Sequence, residues 1–315
     1  MDKQKGMGKK IIIDCDAGID DALALILAYH SPELAVEAIT GVNGNVPVDV
    51  VFENILKSLS LVQPRQRPFI ARGADGPLRG KPVYAHSFHG EDGLGGATIL
   101  REELKEDWTN FRGPADELIL EMSRQHPKEV TLIATGPLTN VALGFQRDPE
   151  GMRRLKEVVI MGGAVRTKGN ITPFAEFNFF VDPTAAQIVL ESGLPITLVP
   201  LDVTHQVFLT PRIIEEKVKS IDTPFSTFVI QATGYQSMSR RFGPRADVFH
   251  LHDPLAVGVT IHSDLVRIER LGLRVETQEG EYYGRVWEVQ EGPEVAVCTG
   301  VDAERFLGLF LSRLR

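Results

Sequence analysis

The sequence predicts an α/β fold: a mostly parallel central sheet flanked by helices, a Rossmann-like open sheet, with extra C-terminal strands and a closing helix. Three observations predict it. Short apolar runs alternate with segments that open on helix-cap signals, the order expected of strand and crossover helix. Polar, glycine-bearing segments recur directly after those runs, where open parallel sheets place their ligands. From about residue 266 the pattern changes to closely spaced apolar runs separated by turn residues.

The first strand is read at residues 11–13, Ile-Ile-Ile, followed by a helix over 21–30 that Ser31-Pro32 stops. A second strand covers 34–42. Pro47 opens a helix to about 62, because a proline's missing N–H costs nothing in a first helical turn. A short strand at 68–71 precedes a helix over 114–125, a strand at 130–134, a helix at 137–145 and a strand at 158–161. Asp182-Pro183 reads as cap plus first helical residue, with the helix running to about 192. A strand at 196–200 follows, and Thr210-Pro211 caps the next helix in the same way. Strands at 266–275, 282–289 and 294–297 are joined by turns at 278–280 and 291–293, and a helix over 302–314 closes the chain. Residues 1–9 are expected to form a flexible tail and 10–315 a single catalytic domain.

Composition narrows the function classes. Of 315 residues, 43% are hydrophobic, enough for a large core, and the net charge is −8. An acidic chain is a poor partner for nucleic acid or an anionic membrane. The cluster Arg240, Arg241 and Arg245 reads as a solvated loop rather than a nucleic-acid footprint. Two cysteines, Cys15 and Cys298, make no disulfide framework, which points to a reducing compartment and a cytoplasmic location. Lys3, Lys5, Lys9 and Lys10 precede Ile11–Ile13 in the manner of a signal peptide. The apolar stretch is broken at once by Asp14, Asp16, Asp20 and Asp21, and no apolar run is long enough to span a membrane.

The segment 14–21, Asp-Cys-Asp-Ala-Gly-Ile-Asp-Asp, places four carboxylates within eight residues directly after a strand. Two unit charges about 4 Å apart repel by roughly 4 kcal/mol at an effective dielectric near 20. A divalent cation removes that cost, and carboxylate oxygens suit Ca²⁺ or Mg²⁺. Gly18 permits a tight turn into the helix. The bland alternative, a solvated acidic helix cap, does not explain why an apolar strand delivers these residues to the ligand-binding edge of a sheet. An Asp-x-Asp after a strand also opens haloacid-dehalogenase-type phosphatases, but that reading leaves the pair Asp20-Asp21 unexplained.

Further segments follow in order: Gly44-Asn45; His89-Gly-Glu-Asp-Gly93; Thr135-Gly-Pro-Leu-Thr-Asn140; Met161-Gly-Gly163; Gly169-Asn170; Ala175-Glu-Phe-Asn178; Asp202-Val-Thr-His205; and His252-Asp-Pro254. With the acidic run they make nine motifs, and the chain carrying them resembles the nucleoside hydrolases of the inosine–uridine-preferring type. Each motif alone is weak; their joint order and spacing from Ile11 to about Pro254 is specific, and the end, Val301-Asp302 through Phe310, is similar to the family's final helix.

The resemblance implies a Ca²⁺ enzyme, one ion per subunit, that cleaves the N-glycosidic bond of ribonucleosides in nucleoside catabolism and base salvage. By motif, Asp16, Asp21 and Asp253 would bind calcium by side chain and Thr135 by its backbone carbonyl. Asp16 would also be the general base on a calcium-activated water, and Asp14 would support the metal loop by hydrogen bonds. Asp20, Asn45, Asn170, Glu176 and Asn178 would hold the ribose hydroxyls, with Phe177 packing on the sugar. His252 would activate the leaving base and His89 would contact it. The chemistry is consistent: departure of the base builds positive charge on the ribose, which carboxylates stabilise, and a histidine titrates near neutrality.

For His205 the expected role is structural, orienting a loop. Tyr235 and Arg241 are candidate base contacts, and residues 90–96 a candidate flap. Ala17 stands where the family usually has proline, so the turn is expected to be modestly looser. The resemblance implies a homodimer or homotetramer. The weighed alternatives are a calcium-dependent nucleoside-binding protein without turnover and the phosphatase.

Overall fold

The computed structural model describes residues 8–98, 113–238 and 248–315. Among these, one sheet of nine strands organises the chain. The strands are β1 (Lys9–Cys15), β2 (Leu34–Gly41), β3 (Phe69–Arg72), β4 (Val130–Ala134), β5 (Glu157–Met161), β6 (Ile196–Val199), then β9 (Val266–Val275), β10 (Val286–Val289) and β11 (Glu294–Val301). The intervening pair, β7 (Phe208–Leu209) and β8 (Phe249–His250), forms a separate antiparallel ribbon.

The order across the large sheet is β10-β9-β11-β6-β5-β4-β1-β2-β3. Every contact from β3 to β11 is parallel, and β9 and β10 add an antiparallel edge. The fold is therefore the expected mostly parallel α/β sheet with extra antiparallel C-terminal strands. Its first six strands follow the doubly wound order, in which the chain leaves β1 toward β2 and leaves β4 toward β5, in opposite directions. The crevice at such a reversal is where open α/β sheets bind ligands.

Burial on both faces explains the continuous apolar strands. Ile11 and Ile13 point into a core shared with helices Ile19–Tyr29, Val48–Val62 and His252–Ile261, whereas Ile12 points into a second core with helices Ala115–Gln125, Thr139–Arg147 and Pro183–Glu191. The caps behave as their residue types require. Asp182 accepts from Ala185 N at 2.9 Å and Thr210 accepts from Ile213 N at 3.1 Å, each with proline next in the chain.

Several boundaries differ from expectation. Lys9 belongs to β1 and not to the tail: its amide donates to Glu33 O, and its ammonium donates to Thr260 O (2.8 Å) and Ile261 O (3.3 Å), the last carbonyls of helix His252–Ile261. The strand expected at 282–289 is β10 alone, because residues 281–284 form a turn with Gly284 at φ 78°. β11 is longer than expected, continuing to Val301. Two helices of ten or more residues were not anticipated, Pro224–Met238 and His252–Ile261. Every residue of the second is buried, so it lacks the polar face from which a helical period is read.

Candidate functional site

The site begins where β1 ends. Asp14 is fully buried; its Oδ1 accepts from Thr40 Oγ1 (2.6 Å) and from Asn140 Nδ2 (2.8 Å), tying the ends of β1 and β2 to the start of helix Thr139–Arg147. Asp16 follows, with Oδ2 accepting from Asn45 N (2.7 Å) and Oδ1 from Asn45 Nδ2 (3.0 Å). The chain then turns through Ala17 at φ 40° and Gly18 into helix Ile19–Tyr29. Asp21 reaches back to accept from Gly18 N (2.7 Å) and accepts from Thr135 Oγ1 (2.7 Å), across the sheet reversal at the end of β4. Proline is locked near φ −65°, so the left-handed Ala17 occupies a conformation closed to it.

Asp253 arrives from the first turn of helix His252–Ile261, where Pro254 needs no N–H partner. Oxygens of Asp20, Asp21 and Asp253 all lie within 4.8 Å of one another, and Asp20 Oδ1 is buried without a partner. Asp16, expected among the ligands, is not in that trio; Asn45 holds both of its oxygens, and it sits against Asp21. Burial raises every one of these acids: Asp14 and Asp20 are pushed up to about 7, Asp16 and Asp253 well above the usual carboxylate range, and Asp21 also upward. Mutual repulsion adds to the effect at Asp14, Asp16, Asp20 and Asp253. The donors are all oxygen, including one orphaned carboxylate oxygen, and they fit a hard divalent cation.

A cavity of about 260 Å³ opens beside this cluster. Asp20, Asn45, Thr135 and Asp253 line it, whereas Asp14, Asp16 and Asp21 lie behind that lining. Asn170, Glu176, Phe177 and Asn178 also line it, as expected. Glu176 caps helix Phe177–Val181, its carboxylate accepting from Asn178 N (2.8 Å), Phe179 N (3.1 Å) and Gly163 N (2.9 Å), so its orientation is fixed by backbone alone. Asn178 donates Nδ2 to the carbonyls of Thr135 (2.8 Å) and Met161 (3.2 Å), at the ends of β4 and β5. Asn170 Oδ1 accepts from Phe177 N (2.9 Å). These bonds leave Asn178 Oδ1 and Asn170 Nδ2 as unused polar groups of the two side chains.

Four histidines complete the lining. His89 Nδ1 accepts from Ile19 N (3.1 Å), so that nitrogen carries no proton and the ring is neutral with Nε2–H. Burial holds its pKa down, to about 3. His252 Nδ1 is 2.7 Å from Thr204 Oγ1, and burial, reinforced by the neighbouring histidines, pushes its pKa well below the ordinary value. His205 and His250 were not anticipated in the site. The rings of His250 and His252 stack at 5.3 Å, and His205 lies 5.1 Å and 5.8 Å from them. The sequence signal for His250 was the pair His250-x-His252, placed by the β7–β8 ribbon. Tyr84 and Ile171, both exposed, add apolar surface to the lining.

Two other expectations resolve differently. The glycine-rich segment 90–96 is pinned and not a free flap: Asp92 accepts from Leu94 N and Gly96 N, and Leu94 is buried in the core. Of the expected base contacts, Tyr235 falls in helix Pro224–Met238, where its side chain is not described, and Arg241, with the arginine cluster at 240–245, lies outside the described residues.

Comparisons with known proteins agree with this geometry. The family described as inosine-uridine preferring nucleoside hydrolase matches residues 11–308. The chain is 37% identical to the pyrimidine-specific ribonucleoside hydrolase RihA of Salmonella arizonae, over 98% of this chain and 99% of that one. It is 36% identical to the inosine-uridine preferring nucleoside hydrolase of Crithidia fasciculata, over 98% of both. Among solved structures, the plant nucleoside hydrolase PpNRh1 superposes with a TM-score of 0.88 at 31% identity, covering 97% of this chain and 98% of that one.

Proposed function

The chain belongs to the inosine–uridine preferring nucleoside hydrolase family, and on that premise we propose that it hydrolyses ribonucleosides to ribose and free base at the cavity beside Asp20 and Asp253, with calcium held by the buried carboxylates. The observation that carries the reading is the cluster of raised, all-oxygen acids opening on a cavity lined by asparagine, glutamate and histidine. Asp16, Asp21, Asp253 and the Thr135 carbonyl would hold one calcium ion per subunit. Bound there, the ion supplies Lewis acidity and the positive charge that lets the carboxylates ionise together.

In the reaction, water oxygen bonds to C1′, the C1′–N bond breaks, and one proton moves from water to the protein while another reaches the base. Asn45, Asp20, Asn170, Glu176 and Asn178 bind the ribose hydroxyls, and Phe177 packs on the sugar, which fixes C1′ and lets binding energy act on the transition state. When Asn45 Nδ2 donates to a ribose hydroxyl instead of Asp16 Oδ1, that oxygen is free to take the proton of the attacking water. The Asn45 backbone amide still bonds Oδ2 and favours the ionised form. Asp20, Glu176 and Asp253 stabilise the positive charge that grows on the ribose. His252 donates a hydrogen bond from Nε2 to the departing base, since Nδ1 is engaged by Thr204, and the base takes its proton from solvent as it leaves. His89 contacts the base.

The proposal extends to a single catalytic domain over residues 10–315, a homodimer or homotetramer, and a cytoplasmic location; two buried free cysteines, Cys15 and Cys298, support a reducing compartment. Incubation with inosine, uridine and cytidine in calcium, followed by assay of free ribose, tests the reading. Ribose release is expected; none from any nucleoside with calcium present overturns it. A ligand-induced stabilisation without release would identify a nucleoside-binding protein instead.

A further inference from the structure

Thr204 has no part in the reaction as written, yet it stands where two of the cavity histidines meet. It is the last residue of the short helix Leu201–Thr204 after β6, fully buried, with its own amide fixed to Pro200 O at 3.1 Å. Its hydroxyl lies 2.7 Å from His252 Nδ1. Two other buried threonines at helical positions use their proton locally: Thr233 donates to Val229 O and Thr260 to Ala256 O. Thr204 has no such bond among the described residues. A buried hydroxyl needs an acceptor for its proton, and His252 Nδ1 is the acceptor at hydrogen-bond distance among the described residues.

The direction of this bond decides what His252 presents to the cavity. A neutral imidazole carries one proton, and the partner of one nitrogen determines whether the other is a donor. If Thr204 donates to Nδ1, the proton sits on Nε2. If the bond were reversed, Nε2 would carry a lone pair and could give nothing to a leaving base. The His250 ring stacks against that of His252 at 5.3 Å and packs one face of it.

We propose that Thr204 is a positioning residue for leaving-group activation: by donating to His252 Nδ1 it fixes the tautomer whose Nε2–H hydrogen-bonds the departing base, and the orientation of the ring. The proposal rests on the reading of His252 as hydrogen-bond donor to the leaving base, so the experiment includes His252 itself. Wild type, Thr204→Val, Thr204→Ser and His252→Ala are compared on inosine and on p-nitrophenyl riboside, whose leaving group needs no proton, with thermal unfolding as a check on folding. Loss of a supporting hydrogen bond of this kind costs roughly 10–100-fold. Thr204→Val is expected to lose about that factor in kcat on inosine, with KM changed less than about threefold, and to lose less than about threefold on p-nitrophenyl riboside. Thr204→Ser is expected to restore inosine turnover to within about threefold of wild type.

Equal losses of Thr204→Val on the two substrates, or full activity on inosine, would overturn the proposal while a selective His252→Ala leaves the reading of His252 standing. Equal losses of His252→Ala on both substrates would overturn the reading and the proposal together. Thr204→Ala, the second variant without a hydroxyl, applies the same criteria should Thr204→Val fail to fold.

Discussion

Gly44→Ala tests the geometry of the metal loop with one methyl group. Gly44 sits on the turn after β2, against Asp16. A Cβ there would collide with Asp16 Oδ2 and lie 2.7 Å from its Cγ and 2.8 Å from its Cβ. Ordinary carbon contacts are about 3.5–4.0 Å, so the Asp16 carboxylate or the turn must move by about 1 Å. Either movement breaks the bonds that fix Asp16, at 2.7 Å from Asn45 N and 3.0 Å from Asn45 Nδ2. A misplacement of that size costs about 10²-fold in turnover. Overpacking costs about 1–3 kcal/mol, or about 2–5 °C in unfolding midpoint for a chain of this length. Ribose release from a saturating nucleoside, read beside a thermal melt, separates the two effects. Gly308→Ala is the control. Gly308 lies in helix Ala303–Ser312 with open space around its Cα, so alanine there should leave activity intact and add about 0.8–1.0 kcal/mol of stability. A Gly44→Ala enzyme within about threefold of wild-type turnover would refute the reasoning.

The remaining predictions concern the same loop. Asp16→Asn should lower kcat by at least about 10²-fold; near-wild-type ribose release would remove Asp16 from the mechanism. Ala17→Pro requires φ near −65° where the backbone holds 40°, so it should destabilise by more than about 1 kcal/mol, whereas Ala17→Gly should fold at least as well as wild type; an unchanged Ala17→Pro melting curve would contradict the left-handed turn. Calcium at about a hundredfold over its Kd should stabilise chelated protein by about 2.7 kcal/mol, roughly 4 °C here. Because burial raises the ligand acids, protons compete with the cation, and raising the pH frees the carboxylates to bind it. The calcium-induced shift should therefore be larger at pH 8 than at pH 5.5, and equal shifts would show that the cation binds elsewhere.

Much of the fold was legible because local signals and packing agree. Ile11, Ile12 and Ile13 read as a strand since both faces of a parallel sheet are covered, and the Asp182-Pro183 and Thr210-Pro211 caps form as their chemistry dictates. Helix His252–Ile261 was invisible for the same reason that β1 was plain: burial on every side erases the period that marks an amphipathic helix. The strand expected at 282–285 failed at Gly284, whose positive φ turns the chain beneath Phe180. At the site, the carboxylates were legible by crowding. Thr204, His205 and His250 were not, because they meet through the β7–β8 ribbon and the short helix before it, a packing with no local signature.

The reversal of strand order between β1 and β4 also has a kinetic side. Asp21 bonds Thr135 across 114 residues of chain, Asp14 bonds Asn140 across 126, and Asp253 comes from a helix formed still later in sequence. Contacts of such separation repay their loop-closure entropy only when the intervening chain is in place. A fragment that lacks β4 or helix His252–Ile261 lacks part of the proposed cation site. On that proposal, loss of calcium affinity is expected to report unfolding anywhere between β1 and helix His252–Ile261, and bound calcium is expected to protect that span, including the amides of β4, from hydrogen exchange.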